Sequence, residues 1–157
     1  MAPTVCARDR IPERYGFRIG ELGLLIESGT LGEILTDAEI HPLPLAPPAL
    51  LGLINLRGNL IPVYGIASLL DQDEPEDDHF FLLVLGEGDE AVALRLTCTP
   101  VALVLGPCRP LPDALPDALR DCALEAREAD GQIWLEFDHR RFFESLVHSI
   151  DVQTAAP

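Results

Sequence analysis

The sequence predicts an all-β fold of two small lobes, and three observations carry that reading. Apolar runs of strand length recur between Gly- and Asp-containing turn signals, at about five residues each, as in small barrels. Two proline-rich stretches, "HPLPLAPP" and "PCRPLPDALP", exclude regular structure where they fall. Each half of the chain also repeats one pattern, hairpin, proline-rich connector, hairpin, short helix, without repeating the sequence itself. The 157 residues, 48% of them hydrophobic, suffice for one domain or for two lobes sharing a core.

The elements follow in order. Residues 1–13 are polar and unpatterned and read as a loose arm. In "RYGFRIGELGLLIES" the break at Gly-Glu predicts strands Arg14 to Ile19 and Leu22 to Glu27. "TLGEIL" reads as a single helical turn, and the prolines after it as an extended, rigid connector. "GLINLRGNLIPVY" reads as a second hairpin and "GIASLL" as a short helix. Six acids in the eight residues "DQDEPEDD" mark a solvated linker at 71–78, because like charges at that density repel. It divides a first lobe, about 14–70, from a second, about 79–150, with a tail at 151–157.

In the second lobe "HFFLLVLGEGDEAVALRL" reads as a hairpin and "PVALVLG" as a further strand. Asp117 to Ala129 favours helix by composition, whereas Asp130-Gly131 is a hairpin turn signal. Register favours the hairpin. It pairs Glu128 with Ile133, Ala126 with Leu135 and Leu124 with Phe137, which leaves one face apolar apart from Glu128. The closing "RRFFESLV" reads as helix.

Charge narrows the function. Eleven basic against 26 acidic residues give a net −15, which argues against phosphate-backbone binding and so against nucleic acid as a partner. Residues 1–70 carry 5 basic and 7 acidic groups, residues 71–157 carry 6 and 19, so the negative charge lies in the second half. "MAPTVCARDR" lacks a signal-peptide core and no apolar run is long enough to span a bilayer, so the expectation is a cytoplasmic protein without membrane insertion. Cys6, Cys98, Cys108 and Cys122 form no C-x-x-C pair and have no His at ligand spacing, so no metal site or cofactor is signalled.

With Gly58-Asn59 as the turn, the second hairpin places Ile54, Leu56, Ile61 and Val63 on a core face. Leu53, Asn55, Arg57, Leu60, Pro62 and Tyr64 take the other. Pro62 has no N–H for a ladder, which puts its strand at a sheet edge or a barrel rim. Two readings stay open for it, blunting an edge against aggregation or facing a partner. Arg57 is likewise either a solvated charge or a partner contact.

"LLGLINLRGNLIPVYGIASLL" also resembles the central signature of the CheW-like family, the bacterial chemotaxis coupling proteins, with Gly52, Asn55, Arg57, Gly58, Pro62 and Val63 in place. "GEIL" resembles the family's Glu-Ile turn, and "DGQIWLEFDHRRFF" its closing strand and Asp-led helix. The resemblance spans about Arg14 to Val147. It implies two intertwined five-stranded barrels of the Src-homology-3 type and an adaptor without catalysis or cofactor. Such an adaptor links chemoreceptor signalling tips at membrane receptor arrays to the regulatory domain of a CheA-type histidine kinase.

The resemblance places the receptor-contacting arginine at Arg57, with Asn55 and Gly58 beside it, Pro62 on the same surface, and the Glu of the Glu-Ile turn at Glu33. An arginine suits that task, since its planar fork binds carboxylates with defined orientation. The chain departs from the family at "TCTPVALVL", in the acidic linker and in "GPCRPLPDALP". Those departures put the second lobe's kinase surface in question and fit a specialised relative such as the coupling protein of type IV pilus twitching systems.

Against this stands a small-molecule-binding or enzymatic β-barrel that shares only the fold. No nucleophile elbow or phosphate loop occurs. His79 and His139 adjoin acids but read as exposed histidines, and the acidic run lacks the spacing of a calcium loop.

Overall fold

The computed structural model of the chain describes residues 14–30, 32–74 and 79–146. The expected arm, the tail, Cys6, Val147 and positions 75–78 of the acidic linker lie outside the described residues. The strands are β1 Arg14–Ile19, β2 Leu22–Leu25, β3 Gly32–Leu35, β4 Leu50–Leu56, β5 Asn59–Tyr64 and β6 Phe81–Leu85. They continue with β7 Val92–Leu96, β8 Val101–Leu103, β9 Cys108–Arg109, β10 Ala123–Ala129 and β11 Gln132–Phe137. Only short helical pieces interrupt them: 3₁₀ turns at Ser68–Leu70 and Gly88–Glu90, one α-turn at Asp117–Arg120, and a closing helix over 139–146.

The hairpins form where alternation meets a turn. In β10–β11 the turn is Asp130-Gly131, both at positive φ (52° and 75°), the mirror-image geometry that matches strand twist. Glu128 faces Ile133 and Ala126 faces Leu135 as the register predicts. Phe137 faces Ala123 and not Leu124, because a bulge between Ala123 and Glu125 inserts one residue and leaves Leu124 59% exposed. The strand of "GEIL" replaces the expected helical turn. Four residues cannot sustain an isolated helix, whereas β6 offers them a full antiparallel ladder from Gly32↔Leu85 to Leu35↔Leu82.

The strands form a six-stranded sheet ordered β8-β1-β2-β11-β10-β9 and a five-stranded sheet ordered β3-β6-β7-β5-β4. The sixth strand, beyond the five expected, is the two-residue β9 inside the proline-rich connector. The sheets are not the two halves of the chain. Hairpin β1–β2 joins the C-terminal strands through a parallel pairing of β2 with β11, and β6–β7 joins the N-terminal strands through a parallel pairing of β7 with β5. Four ladders, β1–β8, β2–β11, β3–β6 and β5–β7, therefore cross a division into a 14–70 lobe and a 79–150 lobe, which is what intertwining means here.

Packing follows this exchange. Ile54, Ile61, Val63, Leu82, Val84 and Ala93 fill the five-stranded sheet, and Leu25, Leu103, Ala129 and Trp134 cluster in the six-stranded one. A larger core holds the sheets together, with Phe17, Leu24, Leu135 and Phe137 from one and Tyr64, Leu83 and Leu94 from the other, sealed by Phe142 and Phe143 of the closing helix. Burial of such side chains contributes roughly 1.5–3 kcal/mol each. At the crossing, the Gln72 side chain accepts the Glu21 N–H at 2.8 Å and donates to the Leu70 carbonyl. The start of the acidic run is thus tied to the first hairpin.

Candidate partner-binding site

The hairpin β4–β5 turns at Arg57-Gly58 and not at Gly58-Asn59: Leu56 faces Asn59, Asn55 faces Leu60, Ile54 faces Ile61 and Leu53 faces Pro62. The shift is by two, so Ile54, Leu56, Ile61 and Val63 keep their predicted common face while their partners change. Arg57 becomes the first turn residue, at φ 51°, with Gly58 at φ 88°. Asn, Asp or Gly enters that conformation more readily than Arg, so the arginine is not there for the turn's sake. Asn55 secures the geometry, its Oδ1 accepting the Gly58 N–H at 3.0 Å.

From that turn the Arg57 guanidinium meets Glu33 on β3 end-on, Nη2 donating to Oε1 at 2.6 Å and Nη1 to Oε2 at 3.3 Å. The hydrogen bonds from Arg57 hold the Glu33 carboxyl below the usual carboxylate range, and those to Glu33 raise Arg57 further. Both stay well exposed, 69% for Arg57 and 39% for Glu33, so the pair stabilises the fold little. Its consequence is geometric. β3 and β4 are the end strands of their sheet, and in a flat sheet β6 and β7 would hold Glu33 away from this turn; the sheet curls, and the pair spans its seam.

Pro62 lies on the Asn55–Leu60 face, half-buried. Its partner Leu53 uses its own N–H and carbonyl on the far side, with His41, at 2.9 and 2.8 Å. Leu53 and Pro62 thus form a pair that exchanges no hydrogen bonds, and the nitrogen of Pro62 points toward β7. Pairing with β7 begins only at Val63↔Ala93. The proline therefore occupies a barrel rim, as one of the two expectations had it; β5 is not an edge strand, because β4 flanks it. Tyr64, expected on the outer face, is buried and packs its ring 5.3 Å from that of Phe143. Parallel pairing beyond Val63 carries it under the closing helix.

The structure thus brings Arg57, Asn55, Gly58 and Glu33 to one end of the five-stranded sheet, with Pro62 farther along the same face. A model of the family described as "CheW-like domain" matches residues 15–146. The chain belongs to the CheW-like family. It is 32% identical over 117 residues to Protein FrzA of Myxococcus xanthus, covering 68% of this chain and 73% of that protein. The crystal structure of the scaffolding protein TtCheW from Thermoanaerobacter tengcongensis is similar to it with a TM-score of 0.67 at 17% identity, over 84% of this chain and 92% of the other. This likeness concerns the fold. CheW-like proteins are scaffolds of chemotaxis-type signalling, not catalysts.

Elsewhere in this CheW-like chain, a cleft of about 650 Å³ lies beside Arg18, Leu22, Leu115 and Ile133, and its lining holds no His, Cys, Ser or Asp. A smaller one of about 300 Å³ includes Cys98, Thr99 and Asp130 but no His. Among the described residues no group of three or more His, Cys, Asp or Glu is placed to hold a metal ion, and no helix is long and apolar enough to cross a membrane. His139, expected at the surface, is buried at the start of the closing helix. One feature of the candidate site lies outside the family motif. From Ile40 to Leu70 the sole formally charged residue is Arg57, a signal that marks a nearly neutral surface on an acidic protein.

Proposed function

We propose that the chain is a non-catalytic adaptor that couples chemoreceptor signalling tips to the regulatory domain of a CheA-type histidine kinase, recruited to receptor arrays at the membrane. Arg57 is its receptor-contacting residue, Asn55 and Gly58 set the arginine's position, Glu33 orients its fork, and Pro62 leaves the adjoining strand end open. One observation carries the reading: an arginine sits in a turn it does not favour, exposed, with its fork already engaged by a carboxylate. A receptor carboxylate or helix carbonyl end can take over the same donors. The kinase contact is assigned to the divergent six-stranded half and rests on family membership.

The test is binding to a purified receptor signalling-tip fragment and to a kinase regulatory domain. Arg57→Glu, with an unchanged circular dichroism spectrum, is expected to weaken receptor binding about tenfold or more, the usual worth of a charge-assisted hydrogen bond. Arg57→Asn should do the same while keeping the turn, since Asn-Gly is its preferred pair. Unchanged binding by both variants would remove the site assignment. No binding of the intact chain to either partner would favour a ligand-binding barrel instead.

A further inference from the structure

The cleft of about 650 Å³ on the six-stranded sheet lies between the β1–β2 turn, the 112–115 segment and β11. Leu22, Leu115, Ile133 and Leu135 give it aliphatic walls, and Arg18 is the one cation in its lining. Its volume falls in the range of small-molecule sites, roughly 300–1,000 Å³. Arg18 also lines the neighbouring cleft of about 300 Å³, so the residue stands at the junction of the two.

Arg18 is held there without a counter-ion. Its guanidinium lies 4.7 Å from the centre of the Trp134 ring, and that ring packs so closely on the β1–β2 backbone that a Cβ at Gly16 or Gly23 would come within 2.7 Å of it. Nη1 donates to the Glu21 carbonyl at 3.2 Å, whereas Nη2 is shielded from solvent and meets no acceptor of the protein. Arg14, Arg57, Arg109, Arg120, Arg127 and Arg140 each pair with a carboxylate. Arg18 pairs with none among the described residues, on a chain with 26 acids. A shielded cationic donor without an acceptor is costly to keep, and the ring offsets only part of that cost.

We propose that the cleft binds a small monocarboxylate with a hydrocarbon body, its carboxylate taken by Arg18 and its body laid against Leu22, Leu115, Ile133 and Leu135. The planar fork of an arginine matches the two oxygens of a carboxylate, and rotation about the last bonds of the side chain brings Nη2 to it. One cation offsets one negative charge. The net −15 of the chain penalises a second, which disfavours phosphates and dicarboxylates, and the aliphatic walls disfavour a bare inorganic anion. This ligand site goes beyond the adaptor reading and does not rest on it, since Arg57 belongs to the other sheet.

The experiment titrates the intact chain with hexanoate, reading affinity by calorimetry and location by the fluorescence of Trp134, the chain's single tryptophan. Hexanoate is expected to bind saturably at one site and to shift the Trp134 emission. The controls 1-hexanol, which lacks the carboxylate, and acetate, which lacks the body, should each bind about tenfold more weakly or worse. Arg18→Met keeps an apolar stem over the ring and should lose about tenfold in hexanoate affinity. Arg140→Met removes an equal charge from the closing helix and should bind like the parent. Should Arg18→Met fail to fold, as judged by circular dichroism, Ile133→Thr still tests the walls, since it keeps a β-branched residue in β11; it should bind hexanoate several-fold more weakly. Equal binding of 1-hexanol, or hexanoate affinity unchanged in the folded variants, would overturn the proposal. So would the absence of saturable hexanoate binding, and a loss of binding to a kinase regulatory domain in Arg18→Met would then assign the cleft to a protein carboxylate instead.

Discussion

His139 sits at the first turn of the closing helix with its Nδ1 buried, lacking a hydrogen-bond partner and 3.6 Å from the Glu27 carboxylate. Burial pushes its pKa below the ordinary histidine value, against the opposing pull of Glu27. The folded chain therefore holds the neutral imidazole, and the unfolded chain binds the extra proton first as pH falls. Stability from this group is complete above the unfolded value, near 6.5, and is lost as pH drops through it toward the lowered folded value. Urea titrations at pH 7.5 and 5.5 should show a larger loss for the parent than for His139→Gln, and equal losses would assign the pH dependence to other groups. The sequence offered no sign of this burial. Asp138 and Arg140 beside it suggest a solvated turn, but Phe142 and Phe143 draw the whole helix onto the core. Arg57 shows the reverse case, because its signature was legible in the sequence while its carboxylate partner, 24 positions away, was not.

At the scale of elements, local hairpins were legible and distant pairings were not. A two-residue turn between alternating runs fixes its own register, as at Asp130-Gly131. The parallel ladders β2–β11 and β5–β7 have no turn to announce them, and β3 was misread because only β6, brought in from the second half, gives it a reason to be extended. Gly52 is a similar hidden constraint. It stands at φ 151°, and a Cβ there would approach the His41 carbonyl oxygen to 2.4 Å, where His41 bridges to Leu53. Gly52→Ala is expected to destabilise the chain by about 2 kcal/mol or more, from backbone strain plus displacement of the bridge. Denaturant unfolding checks this, and a change of a few tenths would mean that His41 can move away freely and that the 42–48 loop is held by its prolines alone.

Across the whole molecule, neither half owns a complete sheet. Separately produced fragments 1–74 and 79–157 are expected to lack cooperative unfolding, since β1–β2 and β6–β7 would each leave exposed the apolar faces they bury against strands of the other half. Mixed together, they should recover the spectrum of the intact chain. A cooperatively folded 79–157 fragment would show that β8–β11 need no hairpin from the first half. The lobes were foreseeable in number and in class. Their exchange of hairpins was not readable from pattern, because both halves carry the same kinds of element and either pairing satisfies local alternation.

The exchange also orders the birth of the molecule on the ribosome. Every strand of the five-stranded sheet exists once Leu96 has been synthesised, so the surface around Arg57 has all its strands early. β2 must wait for β11, whose last residue is Phe137, before its parallel ladder can form. Non-local pairings of that kind are the slow ones. The first hairpin made is thus among the last to find its place, and until then the nascent chain holds its apolar face uncovered beside a sheet whose strands are already complete.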